Sequence, residues 1–194
     1  MRSTYEPADA AELFRGLEVP WWVAGGWALD LWLGASVRIH EDLDLAVLRP
    51  DQRAVLGRLA GWDLRLATAP DVLRPLRPDE EVGSPLHAIW CRPPEAEDWA
   101  FELLLNDAEG SDWLFRRDHG VRAPLETVGG RTASGIPFLH PEFVLLFKAK
   151  HVRERDVEDF ERVLPRLEPN RRRWLAGAIE RVHPAHPWIA ALDP

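Results

Sequence analysis

Asp42 and Asp44 stand one residue apart in the run Glu41-Asp42-Leu43-Asp44-Leu45-Ala46-Val47. In a strand alternate side chains share a face, so the two aspartates point one way while Leu43, Leu45 and Val47 point the other. Same-face neighbours lie roughly 6.5–7 Å apart at Cα, which lets both carboxylates converge on one cation. Mg²⁺ takes one or two protein carboxylates and fills its other octahedral positions with water and substrate phosphate. A half-exposed strand can carry two aspartates without function, yet aspartate is disfavoured in strands and the pair needs a reason. Upstream, Gly25-Gly26 separates an apolar run from a helical pattern. A backbone without Cβ atoms can turn sharply there and come close to a ligand. The helix that follows offers unpaired N–H groups and its positive dipole end to a phosphate. Either motif alone is weak. Spaced together, with Arg38 between them, they read as one divalent-metal and nucleotide-phosphate site.

The elements that must position these residues follow from the apolar pattern. Ala8 to Gly16 reads as a short helix, Pro20 breaks it, and Trp21 to Ala24 is a buried strand. After the Gly25-Gly26 turn a helix runs from Trp27 to Leu33 and stops at Gly34, and Asp42 to Leu48 is a strand ending before Pro50. Asp51 to Ala60 is helical, and strands are expected at Trp62 to Thr68, Val82 to Cys91 and Trp99 to Leu105, with a Pro93-Pro94 turn. Ala69 to Glu81, rich in Pro, Arg and Asp, reads as a surface loop. Leu125 to Thr127 and Ile136 to Leu139 form a candidate hairpin around Gly129-Gly130. Beyond Pro141 the texture is helical: Glu142 to Lys150, Arg155 to Leu164 and Asn170 to Val182. The fold class is α+β, a small mixed β-sheet with a helical C-terminal part.

Gly25-Gly26-Trp27-Ala28-Leu29-Asp30, then Gly34, Arg38 and His40-Glu41-Asp42-Leu43-Asp44, resembles the signature of the nucleotidyltransferase superfamily. The nearest likeness is to the aminoglycoside 2''-adenylyltransferases and lincosamide nucleotidyltransferases, whose pattern is GGWA-x-D…R-x-H-x-D-[ILV]-D. It is tight from Gly25 to Asp44 and loose over residues 1–110. The resemblance implies a polymerase β-like palm, with a catalytic core at 1–110 and a small hairpin and helical region at 111–194 packing on it. It implies Mg²⁺-dependent transfer of a nucleoside monophosphate from an NTP, with ATP the expected donor, to a hydroxyl of an aminoglycoside or lincosamide.

It also implies a third carboxylate on a neighbouring strand. Glu102, isolated in the apolar run Trp99 to Leu105, is the candidate, with Asn106 and Asp107 as weaker ones. A buried carboxylate without a partner is costly, and a metal or a proton donor would explain it. Family members commonly carry Asp here, which leaves Glu102 open as general base, metal ligand or both. The catalytic and metal set is thus Asp42, Asp44 and Glu102. Gly25, Gly26, Trp27, Arg38, His40 and Lys148 form the nucleotide-binding set, with Arg38 or Lys148 neutralising phosphate. His40 is placed either to touch a phosphate or to orient Asp42. Lys150, Asp156 and Asp159 read as helix-surface charges paired at helical spacing.

Composition narrows the partners. A net charge of −8 and a pI near 5.4 argue against tracking a nucleic-acid backbone. The acidity suits a cationic acceptor. The single cysteine, Cys91, rules out an internal disulfide and points to a reducing compartment. No apolar run approaches the roughly 18 residues of a membrane span, and the opening residues show no secretory signal, so a cytoplasmic setting is expected. None of the histidines has zinc-ligand spacing. The competing readings are nucleotidyl transfer to a protein or another metabolite, and a binding or antitoxin-like module that keeps the fold without turnover. Intact Asp42 and Asp44 argue against the last.

Overall fold

Pro20 ends the first helical stretch, and Trp21-Trp22-Val23 is then buried on every side, as a central strand demands. The computed structural model describes residues 5–36 and 38–192; the first four residues of the opening stretch read above lie outside them. In chain order the elements are α1 (Pro7–Leu13), β1 (Trp21–Val23), α2 (Gly25–Leu33), β2 (Asp44–Leu48), α3 (Gln52–Arg58), β3 (Asp63–Ala69), β4 (Val72–Pro75), β5 (Ala88–Arg92) and β6 (Phe101–Glu109). They continue as β7 (Asp112–Leu114), β8 (Arg122–Pro124), β9 (Gly129–Arg131), β10 (Pro137–Leu139), α4 (Pro141–Lys148), α5 (Glu154–Val163), α6 (Pro169–Val182) and α7 (Trp188–Leu192).

The strands join one ten-stranded mixed sheet in the order β4-β3-β5-β6-β2-β1-β10-β9, with β7 paired to β6 and to β8. The α+β class holds, and the sheet is larger than the small one expected. Strands from both sides of residue 110 take part in it. Two pairings are parallel, β2 with β6 and β1 with β10. The β2–β6 register sets Asp44 beside Glu102, Ala46 beside Leu104 and Leu48 beside Asn106. One face of β6 carries Phe101, which meets Tyr5, Phe14 and Trp62 in an aromatic cluster. The opposite face carries Glu102. Helix α2 packs on α4 and α5, α4 on α6, and α6 on α7.

Several expected elements change. Asp42 precedes the strand: β2 begins at Asp44, and from Leu45 to Leu48 every residue is buried, so both faces are covered and the expected alternation is lost. Helix α2 starts at Gly25 itself, so the turn and the first helical residues coincide, and it stops at Gly34 in the left-handed region (φ 70°) as expected. The presumed loop at 69–81 contains β4, which hairpins onto β3 through Pro70-Asp71 with Asp71 at φ 59°. The strand expected from Val82 forms only from Ala88, downstream of Pro85. Leu125–Thr127 is a 3-10 turn, and the partner of β10 is Gly129–Arg131 instead. Trp22 explains that strand's glycine, because a Cβ on Gly129 would lie 2.2 Å from its Nε1.

Candidate active site

Asp44 and Glu102 are neighbours in register on parallel strands, about 4.8 Å apart at the backbone and on one face of the sheet. Both are half-buried. Asp42, exposed on the approach to β2, acts on both of them electrostatically. Burial, and then repulsion from Asp42, raises the Asp44 carboxyl to about 7 against the pull of Lys148, Arg155 and Arg153. Burial, then repulsion from Asp44 and Asp42, raises Glu102 to about 8 against Arg116. Among the described residues the side chains of Asp42, Asp44 and Glu102 make no hydrogen bond or ion pair. With no described residue bonded to them, these crowded carboxylates form an oxygen-only donor set that fits a hard divalent cation. No group of three or more His, Cys, Asp or Glu side chains among the described residues already converges as a metal cage. The other carboxylate candidate on β6 drops out: Asp107 accepts from Arg49 Nε at 2.6 Å, lies 2.9 Å from His119 Nε2, and borders a separate groove. Asn106 is taken by Trp113, whose Nε1 donates to its Oδ1 at 3.0 Å.

Each glycine of the pair answers a different neighbour. Gly25 has φ 58°, and a Cβ there would lie 2.3 Å from Asp44 Oδ2. At Gly26 a Cβ would lie 2.3 Å from Arg38 Nη2 and 2.7 Å from His40 Nδ1. The α2 N-cap is Ala24, which gives no side-chain cap, so the first amides of the helix have no side-chain acceptor.

His40 is fixed from two sides. Its ring lies 4.5 Å from that of Trp27, and its Nε2 lies 2.6 Å from Asp30 Oδ2. Arg162 from α5 donates to the other Asp30 oxygen at 2.6 Å. His40 and Trp27 therefore form a wall beside Gly26, held by Asp30. Arg38 reaches Asp159 at 3.4 Å, while its Nε is buried without a partner.

Asp156 and Asp159 do pair at helical spacing, with Arg153 and Arg162, but they are not surface charges. Both are buried, at 0% and 1% exposed, because Lys148 Nζ sits between them at 2.7 and 3.0 Å. Burial would raise the Asp156 carboxyl, but hydrogen bonds from Lys148 and Arg153 hold it below its usual value. Lys148 is therefore a tethered cation facing Asp44, while Lys150 is exposed as expected.

A cavity of about 240 Å³ opens over this sheet face, lined by Gly25, Asp44, Leu104, Phe147 and Lys148. It also holds residues that the sequence reading did not single out: His87, Arg116, Arg117, His151 and Arg153. The run Phe115-Arg116-Arg117-Asp118 gives no local signal that its two arginines line this cavity.

This sheet, with its Gly-Gly helix start and facing carboxylates, is a nucleotidyltransferase fold. Residues 8–76 match the family model described as aminoglycoside-2''-adenylyltransferase. The chain is similar to the crystal structure of the lincosamide antibiotic adenylyltransferase LnuA, lincomycin-bound, at 17% identity and TM-score 0.56, covering 83% of this chain and 96% of that one. It is also similar to ANT(2'')-Ia in complex with adenylyl-2''-tobramycin, at 14% identity and TM-score 0.56, covering 91% and 94%. A solution structure of ANT(2'')-Ia aligns at 16% identity and TM-score 0.55, covering 92% and 90%. No curated protein sequence matches the chain. Structural likeness at these identities shows the fold, and the family model agrees with it.

Proposed function

We propose that the chain is a Mg²⁺-dependent nucleotidyltransferase that moves a nucleoside monophosphate from an NTP, with ATP the expected donor, to a hydroxyl of a small molecule. The observation that carries this reading is the registered pair Asp44 and Glu102, without a hydrogen bond or ion pair among the described residues, set against Gly25 at the start of α2. The named acceptors of the relatives, a lincosamide and an aminoglycoside, are the first antibiotic classes to assay.

Asp44 and Asp42 would hold Mg²⁺, leaving Glu102 on the next strand free to act as a base. When bound, the ion neutralises charge that builds on the transferred phosphoryl group and its leaving pyrophosphate. The uncapped amides at the start of α2 donate to phosphate oxygens, and Gly25 and Gly26 let those oxygens approach the backbone. Arg38, with a buried and unpartnered Nε beside Gly26, supplies a donor to the same phosphates. Trp27 and His40 wall this side. Lys148 adds positive charge near Asp44 from its seat between Asp156 and Asp159. Glu102, whose burial and carboxylate neighbours raise its proton affinity, takes the proton from the attacking hydroxyl. A cytoplasmic setting is part of this proposal; no described helix is long and apolar enough to cross a membrane.

Isothermal titration with each NTP, with and without Mg²⁺, tests the site in the native chain and in Asp42→Asn/Asp44→Asn. Binding that needs Mg²⁺ and is lost in the variant is expected. Equal binding by both proteins would refute the assignment. Pyrophosphate release over a panel of aminoglycosides, lincosamides and other hydroxylated metabolites then separates an enzyme from a binding module.

A further inference from the structure

The cations around the cavity fall into two groups. On the Asp44 side stand Lys148, Arg153 and Arg155, and each has a carboxylate partner: Asp156 and Asp159 for Lys148, Asp156 for Arg153, and Glu41 for Arg155. The second group is Arg116 and Arg117, between β7 and β8, of which Arg116 acts electrostatically on Glu102. Neither makes an ion pair among the described residues. Arg116 makes no hydrogen bond there either. Arg117 donates only to the Phe147 carbonyl, at 3.1 Å. Both guanidinium groups lie over the Phe147 ring, at 5.6 and 5.3 Å, which fixes them at the cavity wall.

The two arginines also repel each other, and partial burial lowers the proton affinity of both. Their field reaches His87 on the same wall and lowers its proton affinity too, after burial. Arg116 feels Asp107 and Glu102 without pairing to either, and Arg117 is exposed, so both forks are open to an anion, and the planar fork of arginine suits a carboxylate or phosphate. The protein as a whole is acidic, but this wall is not. A polycationic aminoglycoside would meet like charge there, which disfavours it.

Resting on the nucleotidyl-transfer reading, we infer that Arg116 and Arg117 bind an anionic group on the acceptor, a carboxylate or phosphate carried near the hydroxyl presented to Glu102. The acceptor is then a hydroxylated anion and not an aminoglycoside. The same chemistry exists on the donor triphosphate, and the experiment separates the two sources.

The test is thermal-shift titration of inorganic phosphate into protein saturated with Mg²⁺ and a non-hydrolysable ATP analogue, with tobramycin as the polycationic comparison. Phosphate is expected to bind the loaded protein and tobramycin is not. Arg116→Ala/Arg117→Ala is expected to weaken phosphate binding at least about tenfold, the scale of a lost charged hydrogen bond, with analogue affinity unchanged. Unchanged analogue affinity also shows that the variant is folded. Arg116→Lys/Arg117→Lys should restore part of the phosphate response. The inference is overturned if loading with the analogue abolishes phosphate binding, if the alanine variant loses analogue affinity to a similar degree, or if tobramycin binds the loaded protein more tightly than phosphate. A native chain that binds no nucleotide under any condition refutes the transferase reading instead, and the phosphate response of the two arginines can still be read.

Discussion

Gly25 and Asp44 touch across the junction of β1, α2 and β2: a Cβ on Gly25 would lie 2.3 Å from Asp44 Oδ2, and Gly25 holds φ at 58°. The glycine therefore meets two demands at once, a backbone conformation that L-residues avoid and a carboxylate pressed against the helix start. Gly25→Ala must move Asp44 or the first turn of α2. Strain of this kind costs about 1–3 kcal/mol. The expected result is a lower melting temperature and loss of Mg²⁺-dependent nucleotide binding, read by calorimetry and titration. Gly34→Ala, also at positive φ but with open space around its Cβ, is the control: it should cost stability and spare nucleotide binding.

The raised carboxyls of Asp44 and Glu102 make the metal-free protein pH-sensitive in a defined direction. In the unfolded chain both groups ionise near pH 4, whereas folded they hold their protons to about 7 and about 8. The folded state thus binds more protons across that window, so this contribution to stability is full below about pH 4 and is lost as pH rises through 7–8. Asp44→Asn should therefore raise the melting temperature of metal-free protein at pH 8, raise it less at pH 5, and change it little below pH 4. In a chain of this length each kcal/mol shifts the melting temperature by about 2–4 °C. Mg²⁺ should stabilise the native protein at pH 8 and leave Asp44→Asn nearly unmoved. A variant less stable than the native chain at pH 8 would contradict the account.

The sequence disclosed this site as far as local spacing could carry it. Gly25-Gly26, Gly34 and the Asp42/Asp44 pair announce themselves because turn geometry and face alternation are properties of a few adjacent residues. Glu102 was visible as a lone charge in an apolar strand, but its register with Asp44 is a fact of the sheet. Asp156 and Asp159 misled because helical spacing pairs them with arginines, and only the packing of α5 against Lys148 shows that they are buried. Arg116 and Arg117 gave no signal, since their meaning depends on Phe147 and Glu102, far away in the chain. The β3–β4 hairpin was missed because proline and charge around Val72-Leu73 outweighed a two-residue turn.

Asp156 holds Lys148 and Arg153 together at a buried point, with Asp159 completing the cluster. Removing one partner from such a network strands the others, at a cost of about 3–5 kcal/mol. Asp156→Ala should therefore unfold at markedly lower denaturant. Because it frees Lys148 from one of two tethers, the surviving folded fraction should also bind NTP with altered affinity. Lys150→Ala, at an exposed site, should move neither quantity, and equal effects at the two positions would refute the buried-cluster reading.

In the proposed reaction Glu102 acts on the hydroxyl, while Asp42 and Asp44 suffice for a metal that takes one or two protein carboxylates. Glu102→Gln keeps the shape and removes the base, so kcat should fall about 10²–10⁴-fold, the range of a lost proton acceptor. Mg²⁺-dependent nucleotide affinity should persist in that variant, and the fall of activity on the acid side of the pH–rate profile should disappear from what remains. Glu102→Asp keeps a carboxylate on a shorter stem and should retain more activity than Glu102→Gln. Loss of nucleotide affinity in parallel with kcat would instead make Glu102 a ligand of the metal, and steady-state kinetics beside titration on the same two variants decides between the roles.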